Sequence, residues 1–217
     1  KISDEIEVST QATNDPFAEY VELYMPLVSD YTQVVGSKVI TLTGANNSFA
    51  ANGGINNDGY YVAGAASYFE FEMPNFFGTE PFCIEYYMKT TGNGATGLSA
   101  FAADKVSTTA ILRDTGQQWN VSRNNTAEWG SIVHSFSSAN FTHIAIVYDG
   151  TQIRGYTNGT RVGSQYNVAS FTQTKNLALI GKNGANFTDT VSNSFQHLRI
   201  TKGVPLYTGN FTPPTEF

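Results

Sequence analysis

The sequence predicts an all-β sandwich of two antiparallel sheets with little helix, and three observations carry that prediction. First, residues 141–159 read FTHIAIVYDGTQIRGYTNG, in which two strand-length runs are each followed by a turn dipeptide. Asp149-Gly150 and Asn158-Gly159 tolerate the positive φ of a two-residue type I′ turn, so the stretch reads as an antiparallel meander. Ile144, Ala145, Ile146 and Val147 are apolar on both strand faces, which places this strand centrally and covered on both sides. Second, about a dozen runs of strand length recur with turn signals at close spacing. Third, no segment longer than a turn or two keeps a helical period.

Taken in order, residues 1–14 are polar and acidic without a sustained period and read as an N-terminal arm or linker. A single domain is then expected over 15–217, opening at Asp15-Pro16. Tyr20 to Leu27 is the first strand, and Val34 to Leu42, bounded by Gly36 and Gly44, the second. Asn46 to Gly59 is a long loop rich in Asn and Gly. Tyr60 to Val62 and Tyr68 to Met73 follow as strands. The latter sets Tyr68, Glu70 and Glu72 against Phe69, Phe71 and Met73, the mark of a half-buried strand with an acidic face. Phe82 to Lys89 is a strand, and Gly92 to Gly97 a flexible loop. Leu98–Ala103, Thr109–Arg113, Gln118–Ser122 and Ile132–Phe136 are short strands. The meander then occupies 142–166. Leu177 to Gly181 and Phe195 to Ile200 complete the set before a Pro-rich end, and no internal repeat is present.

Composition bounds the function. Hydrophobic residues make up 41% and aromatics 13% of the 217 residues, enough for a substantial core. Charged residues are only 14%, so the surface must be built largely from Asn, Thr, Ser and Gly. A net charge of −6 with 12 scattered basic residues argues against nucleic acid as a partner. No apolar run is long enough to span a bilayer as a helix. Cys83 is the single cysteine, which excludes an internal disulfide and a cysteine-rich zinc site. Within Phe82-Cys83-Ile84 it reads as a small buried hydrophobe. The chain opens at Lys1 without Met or a signal peptide, the expectation being a fragment or processed product.

Three places carry a family likeness. Phe82-Cys83-Ile84-Glu85-Tyr86-Tyr87-Met88-Lys89 is similar to a strand of the form F-T-I-E-F-W-V-K. Phe141-Thr142-His143-Ile144-Ala145, with Asp149-Gly150 and Asn158-Gly159, follows the form W-H-H-I-A … D-G … D-G. Leu198 to Gly203 and Tyr207 to Pro214 follow a closing R-I-T-x-G-x-x-R-Y-T-x-N-F-T-P-P. On these residues the chain resembles the concanavalin A-like, laminin G-like jelly-roll superfamily, in particular its bacteriophage and marine bacterial modules. The likeness extends over about residues 15–217. It departs at Phe141, which replaces Trp, at Leu206, which replaces Arg, and near Phe195, where a customary Gly is missing.

The resemblance implies where chemistry should be sought. Glycan-cleaving members carry E-x-D-x-x-E on one strand, with carboxylates facing the sugar as nucleophile and acid. Glu70-Phe71-Glu72 approaches that form, but no third acid follows and Met73-Pro74 ends the strand, so a solvated face is expected. Glu85, alone among aromatics, is read as a paired structural carboxylate. His134, His143 and His197 share no metal-ligand spacing, and the family position of His143 implies a hydrogen-bonded core residue. Laminin G-like domains often bind calcium at a loop rim, for which Asp58, Asp104 and Asp114 are weak candidates. No other cofactor is implied. A sugar site needs an aromatic platform with amide and hydroxyl partners. Trp119 and Trp129 bracket Asn120, Arg123, Asn124 and Asn125 in that manner. Against this stands the heavier alternative, with Trp119 in the core and Trp129 capping a loop. The loop from Asn46 to Tyr60 is the second candidate surface.

The function expected from the resemblance is a non-catalytic virion module: a phage tail fibre, tail-associated or head-decoration component. Its expected partners are host-surface polysaccharide, neighbouring virion proteins, or both, with homo-oligomerisation open and no membrane insertion. The missing disulfide fits folding in a reducing cytoplasm. The alternatives are a purely structural decoration role, a glycan-cleaving enzyme on the same jelly roll, and a secreted bacterial adhesin domain.

Overall fold

Backbone pairing sorts the chain into two antiparallel sheets. The computed structural model describes residues 15–36, 38–43, 47–62, 68–72, 78–90, 99–101, 112–114, 118–123, 127–133, 139–168, 177–180 and 193–217. Its strands are β1 (Val21–Met25), β2 (Ile40–Thr43), β3 (Ser48–Ala50), β4 (Tyr60–Val62), β5 (Tyr68–Glu72), β6 (Phe82–Thr90), β7 (Ser99–Phe101) and β8 (Leu112–Asp114). They continue with β9 (Gln118–Arg123), β10 (Ala127–Val133), β11 (Thr142–Tyr148), β12 (Gln152–Thr157), β13 (Thr160–Asn167), β14 (Leu177–Ile180) and β15 (Asn193–Lys202). Among the described residues the first sheet has eight strands, ordered β13-β12-β11-β6-β15-β4-β3 with β1 also on β15. The second has seven, ordered β10-β9-β8-β7-β14-β5-β2. The only helix among the described residues is a 3-10 turn at Ala18–Tyr20. Side chains are described on the first sheet, Thr90 excepted, and on the second at Ile40–Leu42, Phe69, Phe71 and Ile132.

Period-two alternation puts one set of side chains between the sheets. Phe82, Ile84, Tyr86 and Met88 of β6, Ile144, Ile146 and Tyr148 of β11, and Phe195, Leu198 and Ile200 of β15 meet Phe69, Phe71 and Ile132 of the second sheet. All are at most 2% exposed, and each contributes about 1.5–3 kcal/mol through burial. A Cβ at Gly155 of β12 would overlap the Ile132 side chain, so the sheets approach closely there only because that residue is Gly.

The other face of the first sheet is buried too. Cys83, Ala145, Val147 and Tyr156 form a second cluster with Leu206, against which Phe17, Val204, Tyr207 and Phe211 pack. Every residue of β11 is buried, between β6 and β12, as the doubly apolar run predicts.

The meander differs from its sequence reading at one turn. Asn158 and Gly159 both have positive φ (48° and 73°) between the paired Thr157 and Thr160, the type I′ turn expected. Asp149-Gly150 instead belongs to a longer loop. Asp149 Oδ1 accepts hydrogen bonds from the backbone N–H groups of Thr151 and Gln152 (2.9 and 2.7 Å), and this Asx arrangement adds residues to the turn.

Three further expectations are corrected. Val34–Leu42 is not one strand: Val35 only bridges Tyr24, while β2 begins at Ile40 in the other sheet. Between them Gln33 bonds both Lys38 N–H and Lys38 C=O, pinching the chain as it crosses. The 46–59 loop contains β3. The strand placed at Ile132–Phe136 begins earlier, at Ala127, its alternation hidden by a bulge between Glu128 and Gly130, and residues 134–136 lie outside the described residues. The N-terminal arm at 1–14, the Gly92–Gly97 loop and His134 lie outside the described residues.

Candidate functional site

The outward alternation of β6 and β11 brings unlike residues onto one face: Cys83, Glu85, Tyr87 and Lys89 beside His143, Ala145 and Val147. β15 adds Gln196 and Arg199, and a bulge makes this possible. Gln196 pairs with Tyr87 and Arg199 with Glu85, so His197 and Leu198 together oppose Tyr86. His197 absorbs the extra residue at φ +52°, and its N–H donates to Pro26 C=O (2.9 Å).

Glu85 is fully buried at the centre of this face. Its carboxylate accepts from His143 Nε2 (2.9 Å), Arg199 Nε (2.7 Å) and Tyr207 Oη (2.8 Å). Arg199 extends the network to Asp15 (2.6 Å). Burial pushes the Glu85 carboxyl up, but the His143 hydrogen bond and the Arg199 charge outweigh it and hold the group below the usual carboxylate range. The same burial drives the Cys83 thiol well up, so it stays protonated and inert.

The C-terminal segment seals the network. Tyr207 and Phe211 stack in parallel, and Phe211 meets His143 and Tyr156 edge-on. Phe211 N–H donates to Gly159 C=O, Tyr87 Oη to Pro214 C=O, and Asn56 Nδ2 to Thr215 C=O. Phe217 closes the end against Tyr24, His197 and Arg199. An acid, an imidazole and a guanidinium therefore sit together buried beneath this segment, and Glu85 and His143 hold the structural roles expected of them.

The same face opens at its rim. Tyr60 of β4 and Phe141, just before β11, meet edge-on with ring centroids 5.3 Å apart. Lys89 Nζ lies 3.8 Å from the Tyr60 centroid and 4.7 Å from that of Phe141. All three residues are half-buried. Ser194, the register partner of Lys89, carries a buried Oγ without a hydrogen-bond partner among the described residues. The loop beside them is fixed: Gln196 accepts from Ile55 N–H (2.9 Å) and donates to Asp58 Oδ1 (2.6 Å) and Gly59 C=O (3.0 Å). Lys89 and Phe141 escaped the sequence reading. Their signal was present, since Lys89 ends the outward series of β6 and Phe141 stands at the Trp of the W-H-H-I-A form that the segment resembles.

The residues singled out from sequence fall in two places, Trp119, Asn120, Arg123 and Trp129 on the paired strands β9 and β10 and Tyr60 on β4. Tyr60 lies on β4, next to the β3 edge of the first sheet. Trp119 and Trp129 lie on β9 and β10, and β10 packs over β13 and β12 at the opposite edge. Trp119 pairs in register with Asp114 and Ile132, and Ile132 belongs to the inner core. Trp129 falls in the β10 bulge. Asn120 pairs with Arg113 and Ser131, and Arg123 with Ala127. Asn124, Asn125 and Asp104 lie outside the described residues. Among the calcium candidates, Asp114 ends β8, and Asp58 holds Gln196. No cluster of His, Cys, Asp or Glu suited to a metal ion occurs among the described residues.

Two stacked antiparallel sheets with a polar network sealed on the outer face define a jelly-roll domain. A family model for the concanavalin A-like lectin/glucanases superfamily (Laminin_G_3) matches residues 63–204, about two thirds of the chain, and the chain belongs to that family. Solved structures agree in fold. The binding domain of Paraclostridial Mosquitocidal Protein 1 superposes with a TM-score of 0.65 at 9% identity, over 88% of this chain and 50% of that one. Botulinum neurotoxin type C, whose route into cells depends upon interaction with two ganglioside molecules, matches at 0.61 and 11% identity, over 88% and 49%. Domain 4 of AbnA, a GH43 extracellular arabinanase from Geobacillus stearothermophilus, in complex with arabinotriose, matches at 0.56 and 15% identity, over 86% and 94%. The chain thus spans about half the length of the toxin domains. Comparison with curated protein sequences finds no match.

Proposed function

We propose that the chain is a non-catalytic recognition module that binds surface carbohydrate, carried at the surface of a virion. The observation that carries the reading is the contrast across one sheet face. The acid–imidazole–guanidinium cluster is sealed, whereas the Tyr60–Phe141–Lys89 rim is half-open and pairs aromatic rings with hydrogen-bonding groups, as a sugar platform requires. The ganglioside-dependent toxin and the arabinotriose complex make carbohydrate a natural ligand class for this fold. The virion setting rests on the closing Tyr207-Thr208-Gly209-Asn210-Phe211-Thr212-Pro213-Pro214 motif, the lack of any disulfide, and the weakly charged surface.

The test is binding of the protein to arrayed bacterial surface polysaccharides, repeated with Tyr60→Ala, Phe141→Ala, Trp119→Ala and Trp129→Ala. Wild type should bind, and Tyr60→Ala should lose about tenfold or more. Absence of binding to every surface glycan overturns the reading. Release of reducing ends by the protein, abolished in Glu70→Gln or Glu72→Gln, would instead make it a glycan-cleaving enzyme.

A second reading, a decoration protein held by neighbouring virion subunits, is favoured by a separate surface. Tyr31, Val34 and Val39 are 43%, 66% and 84% exposed on the segment between β1 and β2. Under that reading Val39→Asp lowers incorporation into particles and leaves glycan binding intact.

A further inference from the structure

We infer that the Tyr60–Phe141–Lys89 rim selects acidic sugars, with Lys89 as the residue that reads the negative charge. The inference rests on the carbohydrate reading above and names the ligand class of that same site.

Its first support is the state of the ammonium. Lys38 pairs with Glu22, Lys202 with Glu80, Arg199 with Glu85 and Asp15, and Arg154 with Asp149. Arg161 donates to Gln165. Lys89 has no carboxylate or hydrogen-bond acceptor among the described residues, in a protein with 18 acids against 12 bases. An ammonium has three donors and no acceptor. The faces of Tyr60 and Phe141 fix its position by cation–π attraction, worth about 0.5–2 kcal/mol, without satisfying a single donor. The charge is thus held in place but not neutralised.

The second support is what surrounds it. Ser194 Oγ, on the same face beside Lys89, is fully buried and has no hydrogen-bond partner among the described residues. Tyr60 Oη makes no hydrogen bond to the described protein, and the exposed Asn52-Gly53 segment borders the Tyr60 ring. Neutral donors and acceptors around one fixed cation suit a hydroxyl-rich ring bearing a carboxylate better than a bare anion.

The net charge of −6 opposes an anionic ligand at long range. That repulsion is screened beyond about 8 Å at physiological ionic strength. A contact bond from an ammonium to a carboxylate acts within about 3 Å and is roughly twice as strong as a neutral one. The local term decides.

The experiment titrates the intact protein with 3′-sialyllactose and with trigalacturonate, each against its methyl ester, which keeps the sugar and removes the charge. The expected result is that at least one acid binds and esterification weakens it by about tenfold. Lys89→Gln should abolish the difference between acid and ester with the melting temperature unchanged, and Lys89→Arg should restore it. Equal binding of acid and ester, or a preference that survives Lys89→Gln, overturns the inference and leaves the carbohydrate reading standing. Displacement by inorganic phosphate at the sugar's own affinity also overturns it, reducing the rim to an anion site. Failure of acids, esters and the arrayed neutral glycans alike overturns both.

Discussion

Glu85 illustrates how much one buried side chain can hold. His143, Arg199 and Tyr207 all converge on its carboxylate, and through Arg199 it reaches Asp15 near the first strand. Removing its charge leaves Arg199 buried with one carboxylate, Asp15. Breaking a buried pair in this way costs about 3–5 kcal/mol, a large share of a total near 5–15 kcal/mol. Glu85→Gln should therefore lower the melting temperature by about 10 °C, read by calorimetry; a shift of a degree or less would contradict this account. His197 adds a pH dependence. Burial among Tyr24, Tyr87 and Phe217 lowers its pKa from 6.5 to about 4, only partly offset by the charge of Asp58. Between these values the unfolded chain holds the proton and the folded chain does not, so stability rises with pH. Acidification from 6.5 to about 4 should cost about 3 kcal/mol at this residue. Glu85, with a depressed folded pKa, acts in the same direction lower down, its stabilisation being lost as pH falls through the carboxylate range. His197→Asn keeps a side chain that tolerates positive φ. It should flatten the stability profile above pH 4 while leaving the Glu85 part below it; an unchanged profile would assign the acid sensitivity elsewhere.

The C-terminal segment behaves as a structural element although it carries no strand after Lys202. It gives the first sheet the second layer that its outward apolar residues require, and its docking point is the type I′ turn. A Cβ at Gly159 would overlap Phe211 C=O and would also sit at positive φ. Gly159→Ala should thus destabilise by about 2 kcal/mol or more, combining strain with loss of the Phe211 hydrogen bond. Gly209→Ala is the control, because nothing lies within 4 Å of its added Cβ and its φ is not positive. Equal melting temperatures for the two variants would mean that the segment does not dock as described. Cys83 reports on the same contact, since it lies under Leu206 and is buried. In the native protein it should resist thiol reagents, and a stop codon after Gly203 should make it reactive. This cover was partly legible: the closing motif marked the segment as specific, but alternation cannot say that a strandless tail folds back over a sheet.

At the scale of the molecule, the sandwich was readable because its strongest strands are runs of strand-forming residues bounded by turn signals, and β6, β11 and β15 cover the runs read as strands. Misplacements occurred where short-range side-chain bonds to the backbone or a bulge override the residue pattern: the Gln33–Lys38 pinch, the β10 bulge at Trp129, and the Asx bonds of Asp149. The candidate site was less legible for a related reason. Sequence proximity grouped Trp119 with Trp129, but the rim is assembled from β4, β6 and the start of β11, whose members Tyr60, Lys89 and Phe141 are far apart in the chain. Two edges of the sandwich therefore make opposite predictions. Trp119 is the register partner of Ile132, which is fully buried in the core. On the sequence expectation that Trp119 belongs to the core, Trp119→Ala should behave as a core truncation, losing about 3–5 kcal/mol of stability, with the affinity of the remaining folded protein for glycan unchanged. Tyr60→Ala, at a half-buried rim position, should do the reverse, weakening binding with a small change in melting temperature. Measuring melting temperature and glycan affinity on both variants separates the edges. Should Trp119→Ala keep its stability and lose binding, the recognition surface lies at the β9–β10 edge and the Tyr60 rim is only a packed corner.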